Sequence, residues 1–130
     1  MTTFVQAFNT HFFEFIDDVK SVFPEDVDIL TASNVLLAIR KTNPKLIVKI
    51  WKTYIVDKYK KEIEQGDIDF FINKDYTEDV SVSENSSKIM NAINRLRAPI
   101  KNMAEENQLK SLKYIQNLTK LSDFCVCDDN

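Results

Sequence analysis

NPKLIVKIWKTYIVDKYKKEIEQGD, residues 43–67, is the stretch whose reading decides the fold. Asn43 stands where a helix takes its cap, and Pro44 at the first helical position, where a missing N–H costs nothing because that group has no partner inside a helix. Gly66, the only glycine in the chain, sits where a helix C-terminus wants a residue that tolerates a left-handed backbone. Between these marks Ile47, Ile50, Trp51, Tyr54, Ile55, Tyr59 and Ile63 recur at spacings of three and four, the repeat of one helix face. Lys45, Lys49, Lys52, Lys60 and Lys61 fall largely on the opposite side. The spacing predicts a long amphipathic helix over about 44–65 that carries the only tryptophan and serves as the spine for the others.

Composition agrees with a helical domain. The 130 residues suffice for one domain and not for two. With 44% hydrophobic residues and nine phenylalanines the core is expected to be aromatic-rich. One glycine and three prolines are too few for the many turns of an all-β protein. The expectation is a single all-α bundle of five or six helices spanning residues 1–124, followed by a flexible tail at 125–130.

Outward from the spine, Thr2 or Thr3 is placed to cap a first helix that runs to about Phe23, with Pro24 marking its exit. Phe4, Phe8, Phe12, Phe15, Ile16, Val19, Val22 and Phe23 form its apolar stripe, and Val5 and Phe13 widen it, a breadth that predicts burial on two sides or an interface. Asp26 or Asp28 is placed to cap a second helix to about Lys41, with Ile29, Leu30, Val35, Leu36 and Ile39 inward. After Gly66, Asp67 is expected to cap a short turn leading into Phe70–Ile72. The polar, acidic segment after it, residues 73–87, reads as a loop. A further helix starts near Ser83 or Asn85 and should kink or break near residues 95–97, because Pro99 removes a backbone bond and crowds the preceding turn. Leu109, Leu112, Ile115, Leu118, Leu121 and Phe124 are the expected inward stripe of the last helix.

The formal charge is −3, which gives no overall attraction to nucleic acid or an anionic membrane. Its distribution is uneven. Residues 40–61 carry eight Lys or Arg against Asp57 alone, whereas residues 62–84 carry eight acids against Lys74 alone. Neighbouring segments therefore tend to neutralise each other. No apolar run is long enough to span a bilayer, and the N-terminal stretch lacks the basic start and small-residue cleavage site of a secretory leader. An intracellular protein is expected, with Asn85 and Asn117 unglycosylated and Cys125 and Cys127 reduced.

Chemical motifs are weak. Residues 67–78 place acids at positions 1, 3, 9 and 12 of an EF-hand-like loop, but Phe71 and Ile72 occupy the positions that need an oxygen ligand and a glycine. His11 is the only histidine and has no nucleophile at a suggestive spacing. Two thiolates, Cys125 and Cys127, do not close a four-ligand zinc site. Asp17–Asp18 and Glu105–Glu106 are sequence neighbours, which diverge by about 100° on a helix and cannot converge on a substrate. With a single glycine, no phosphate-cradling Gly-rich loop exists. No catalytic, cofactor or metal residue is assigned, and the chain reads as a non-enzymatic protein.

Phe23–Pro24 with Asp26 and Asp28, Asn43–Pro44, Trp51, Tyr59, Gly66–Asp67, Phe70–Phe71–Ile72, Lys74–Asp75–Tyr76, Leu96–Arg97, and Tyr114–Ile115 with Leu118 to Ser122 together make a pattern of spacing and turn residues that spans most of the chain. In that pattern the chain resembles small helical proteins of unassigned role encoded by large nucleocytoplasmic DNA viruses of algae and protists. The resemblance carries no catalytic set. It implies a viral structural or virion-associated component, a minor capsid or assembly protein, working through contacts with other proteins or with itself in the host cytoplasm and the virion. Phe12, Phe13 and Tyr76 are the residues expected to form the protein contacts. The rival is a nucleic-acid-binding or regulatory module that uses Lys45, Lys49, Lys52, Lys60 and Lys61 to hold phosphates.

Overall fold

The computed structural model describes residues 3–69 and 84–125, with the backbone alone for 84–86. Every regular element among the described residues is helical. Helix α1 spans Phe4–Val22 and opens on a capping box. The Thr3 hydroxyl accepts from the Gln6 N–H at 3.1 Å, and the Gln6 side chain accepts from the Thr3 N–H at 2.9 Å, so two orphan donors are satisfied reciprocally. Helix α2 spans Val27–Thr42, and the Asp26 carboxylate accepts from the N–H groups of Asp28 and Ile29. Its inward side is Ile29, Ala32, Ser33, Leu36 and Ile39. Leu30, expected inward, is exposed instead, and Val35 only leans on the core.

Asn43 ends α2 and begins the next helix at once, a one-residue corner with φ −151° and ψ 79°. Its side chain makes no capping bond, contrary to expectation. The corner is held from elsewhere: the buried Asn9 amide of α1 donates to the Pro44 carbonyl at 2.9 Å.

The expected spine is helical over its length but is not one regular helix. It divides into α3 (Pro44–Trp51), a π-helical turn (Lys52–Val56) and α4 (Asp57–Glu64), and Tyr59 within α4 departs from helical geometry at φ −126° and ψ 19°. The cause lies in the spacing. Ile47, Trp51, Ile55, Tyr59 and Ile63 are separated by four, and four α-helical residues overshoot a full turn by about 40°. Over the whole series the drift reaches about 160°, which would point Ile63 away from Ile47. A π turn holds one residue more than an α turn and so takes back about 100°. With that correction Ile47, Trp51, Ile55 and Ile63 are all buried. The helix then ends as read. Gly66 has φ +80°, its N–H bonds to the Ile63 carbonyl and that of Asp67 to the Glu62 carbonyl, the paired bonds of a Schellman C-cap. The Asp67 carboxylate caps the next turn by accepting from the Asp69 N–H.

Helix α5 (Glu84–Arg95) stops at Leu96, and α6 (Arg97–Lys101) carries Pro99, so the proline break falls where expected. Helix α7 spans Glu105–Phe124. Its Gln108 amide donates back to the carbonyls of Ile100 and Lys101 and closes the end of α6. Gln116 donates to the Ile63 carbonyl at 3.0 Å, tying α7 to α4. Ile115 and Leu118 face the core, whereas Leu109 and Phe124, expected inward, are exposed. Cys125, expected to start the tail, is buried, and residues 126–130 lie outside the described residues.

Two pairings frame the domain: α1 against α7, and α2 against α5, while α3 packs on α1 and α2. Trp51 is sealed at the centre, edge-on to Phe8 and Phe12 at 6.2 and 5.9 Å between ring centroids. Burying side chains of this size is worth about 1.5–3 kcal/mol each. Arg95 reaches from the end of α5 to Asp28 at 2.7 Å, fastening it to the start of α2.

Candidate functional site

The surface with the most chemistry lies along the outside of the α1/α7 pair. The two helices run antiparallel: Phe4 stacks on Phe124, His11 and Phe15 flank Tyr114, and Asp18 meets Lys110. Each helix contributes a second stripe beside its core stripe. On α1 it is Phe4, Ala7, His11, Glu14 and Asp18, and on α7 Lys110, Tyr114, Asn117, Leu121 and Phe124. Both step by three and four, the repeat of a helix–helix seam.

Two adjoining hollows open over this seam and share His11 and Asn117. The larger, about 670 Å³, runs between the Ala7–Glu14 side of α1 and Asn117, Lys120 and Leu121 of α7. The smaller, about 220 Å³, lies between His11 and the Lys110–Tyr114 turn. At one end sits the Phe4–Phe124 pair, with centroids 5.4 Å apart and the rings 52% and 61% exposed. Those are large apolar surfaces left in water.

Polar groups along the groove are arranged in short networks. His11 Nδ1 lies 3.1 Å from Glu14 Oε1, and because a carboxylate only accepts, Nδ1 carries the proton. His11 Nε2 is buried without a hydrogen-bond partner, and the imidazole lies 4.9 Å from the Tyr114 ring. Asp18 Oδ1 pairs with Lys110 Nζ at 3.0 Å, while Oδ2 is buried and unpartnered. The Lys110 ammonium is held above its ordinary range by that hydrogen bond and by the Asp18 charge. Tyr114 is pushed above its ordinary value chiefly by burial and then by the negative charge of Asp18. Lys113 and Lys120 are exposed and make no ion pair among the described residues.

His11 Nε2 has no hydroxyl or thiol in hydrogen-bond reach among the described residues, so the arrangement lacks the nucleophile–base contact of acyl transfer. No group of three or more His, Cys, Asp or Glu among the described residues is placed to hold a metal ion. What the groove offers is a mainly apolar trough rimmed by charged side chains, with an exposed aromatic pair at one end.

The residues expected to make protein contacts are placed differently. Phe12 is fully buried against Trp51, and Phe13 is nearly so, beneath the Arg40 guanidinium at 5.1 Å. Neither presents a surface, because the breadth of the α1 stripe is used up by contacts with α2, α3 and α7. Tyr76 lies outside the described residues. On the lysine face Lys45, Lys49, Lys60 and Lys61 are exposed and Lys52 is half-buried, but the π turn, which Lys52 begins, separates Lys60 and Lys61 from Lys45 and Lys49. Lys60 is also engaged with Asp123 at 3.4 Å. No helix among the described residues is long and apolar enough to cross a membrane.

The α1/α7 groove was missed in the sequence because its stripes mix aromatic, small and charged residues and read as solvated faces. The available signal was the shared three–four step of Phe4–Asp18 and Lys110–Phe124. Comparison with protein-family models, with curated proteins and with solved structures finds no match.

Proposed function

We propose that the protein is a non-enzymatic protein-interaction component, and that its contact surface is the α1/α7 groove rather than the inner aromatic face of α1. The observation that carries this reading is the exposed Phe4–Phe124 stack at the mouth of a trough lined by Lys113 and Lys120, which make no ion pair among the described residues. Aromatic anchors beside a charged rim are the usual anatomy of a protein contact. The resemblance to small proteins of large DNA viruses supplies the setting: a virion-associated or assembly component acting in the infected cell.

The test is quantitative mass spectrometry of particles purified from infected cells. A constant copy number per particle is expected, reduced several-fold by combined Phe4→Ser and Phe124→Ser in a chain that keeps its helical circular dichroism. A chain found only in particle-free fractions overturns the virion setting. Wild-type incorporation of the double variant overturns the choice of surface.

A nucleic-acid-binding role is the second reading. Lys45, Lys49 and Lys52 favour it, since steps of four and three keep them on one helix face. It requires an affinity for DNA or RNA that falls steeply with salt and weakens when these three become glutamine.

A further inference from the structure

We infer that the partner covering the α1/α7 groove is a second copy of the same chain, related by a two-fold axis running along the groove. This inference rests on the reading of that groove as a protein-docking surface. Its basis is a division of charge across the seam. The α1 wall is acidic, with Glu14 and Asp18, and the α7 wall is basic, with Lys110, Lys113 and Lys120. A two-fold axis along the groove lays α1 of each copy over α7 of the other at the same height. Glu14 of one copy then meets Lys113 of its partner, and the contact is repeated by symmetry. The same operation stacks the two Phe4–Phe124 pairs into a cluster of four rings, with Leu121 and Ala7 beneath them. An axis perpendicular to the groove places α1 on α1 and sets acid against acid, which disfavours it.

The dimensions suit a modest, reversible dimer. The 19 residues of α1 give a face about 28 Å long, and two adjacent helices make it roughly 20 Å wide. The two copies together would bury about 1,100 Å², just above the lower bound for a specific interface. The result is an intermolecular four-helix layer in which the exposed aromatic rings are covered and Lys113, without an ion pair among the described residues, meets an acid.

The experiment is sedimentation equilibrium of the full chain across a wide concentration range, on the wild type and two exposed charge reversals, Glu14→Lys and Lys113→Glu. The wild type is expected to dimerise. Each reversal places like charges opposite each other twice and weakens its homodimer by about tenfold. Mixing the two variants restores both pairs, since each junction is again acid against base, and the mixed dimer returns to within a few-fold of the wild-type affinity. Circular dichroism reports whether each variant is folded, and Lys113→Gln serves as a milder substitution that removes attraction without adding repulsion. A wild-type monomer at all concentrations overturns the inference, as does a dimer indifferent to both reversals or a mixture that fails to recover. A monomer that is nevertheless incorporated into particles through Phe4 and Phe124 overturns the dimer and leaves the docking surface standing.

Discussion

Phe12 and Phe4 stand about two turns apart on the same helix and are used in opposite ways. Phe12 is enclosed with Phe8 and Trp51, all three fully buried. Phe4 lies on the outer seam, stacked on Phe124 with half its surface in water. The inner cluster is closed, so its contribution to stability is complete in the isolated chain. The outer seam leaves apolar area in water, beside lysines that make no ion pair among the described residues. Residue type does not separate the two sites; the phase on the helix does.

Truncation inside the closed cluster should separate the regions most sharply. Trp51→Ala is expected to cost about 3–5 kcal/mol, read as the loss of midpoint in urea unfolding. Trp51→Phe should cost far less, because it keeps most of the ring volume and removes an indole N–H that is buried without a hydrogen-bond partner. If the two substitutions cost the same, the packing account of the inner cluster is wrong. Next in size is Gly66→Ala. Added Cβ atoms find room there, with Leu112 Cδ2 at 3.8 Å, so the expected loss of about 1 kcal/mol comes from the left-handed backbone alone. Phe124→Ala on the outer seam is expected to lose less than about 1 kcal/mol in dilute solution, since its ring is already 61% exposed. A loss as large as that at Trp51 would erase the distinction between the two regions.

The smallest effect is the dependence on alkali. Tyr114 holds its proton more tightly in the folded chain than at its ordinary 10.0, first through burial and then through Asp18. Lys110 does the same relative to 10.5, through its hydrogen bond to Asp18. For both groups the folded state binds more protons than the unfolded one above the unfolded value. Stability is therefore complete below pH 10 and falls as the pH rises through the folded values. Denaturant midpoints measured from about pH 8 to about pH 11 should decline over the upper part of that range, less steeply in Tyr114→Phe. A midpoint that is flat or rising there would show that the Asp18–Lys110–Tyr114 network does not persist in solution.

Local punctuation made much of the fold legible. Thr3, Asp26, Gly66 and Pro99 each act within a turn or two, and each does in the structure what its chemistry dictates. The π turn was hidden because a spacing of four looks like a helix repeat over two steps and fails only when the drift accumulates over four. Leu30, Leu109 and Phe124 belong to the expected inward stripes but lie at their margins, exposed to water. The candidate groove was out of reach for a different reason. His11, Glu14, Tyr114 and Lys113 become neighbours only once α1 and α7 are known to be antiparallel, and nothing local to either helix states that pairing.

That antiparallel pairing also decides how the domain responds to force. Phe4 and Phe124 lie side by side, so the described chain enters and leaves the fold at the same end of the seam. A load applied between those ends acts across the helix pair and peels it open one turn at a time. It reaches the exposed rings first, then His11 with Tyr114, then Asp18 with Lys110. A single-molecule pulling experiment should meet low, stepwise resistance, where a pair loaded in shear would give one abrupt rupture. Held by its two ends, the domain is a zipper and not a rivet.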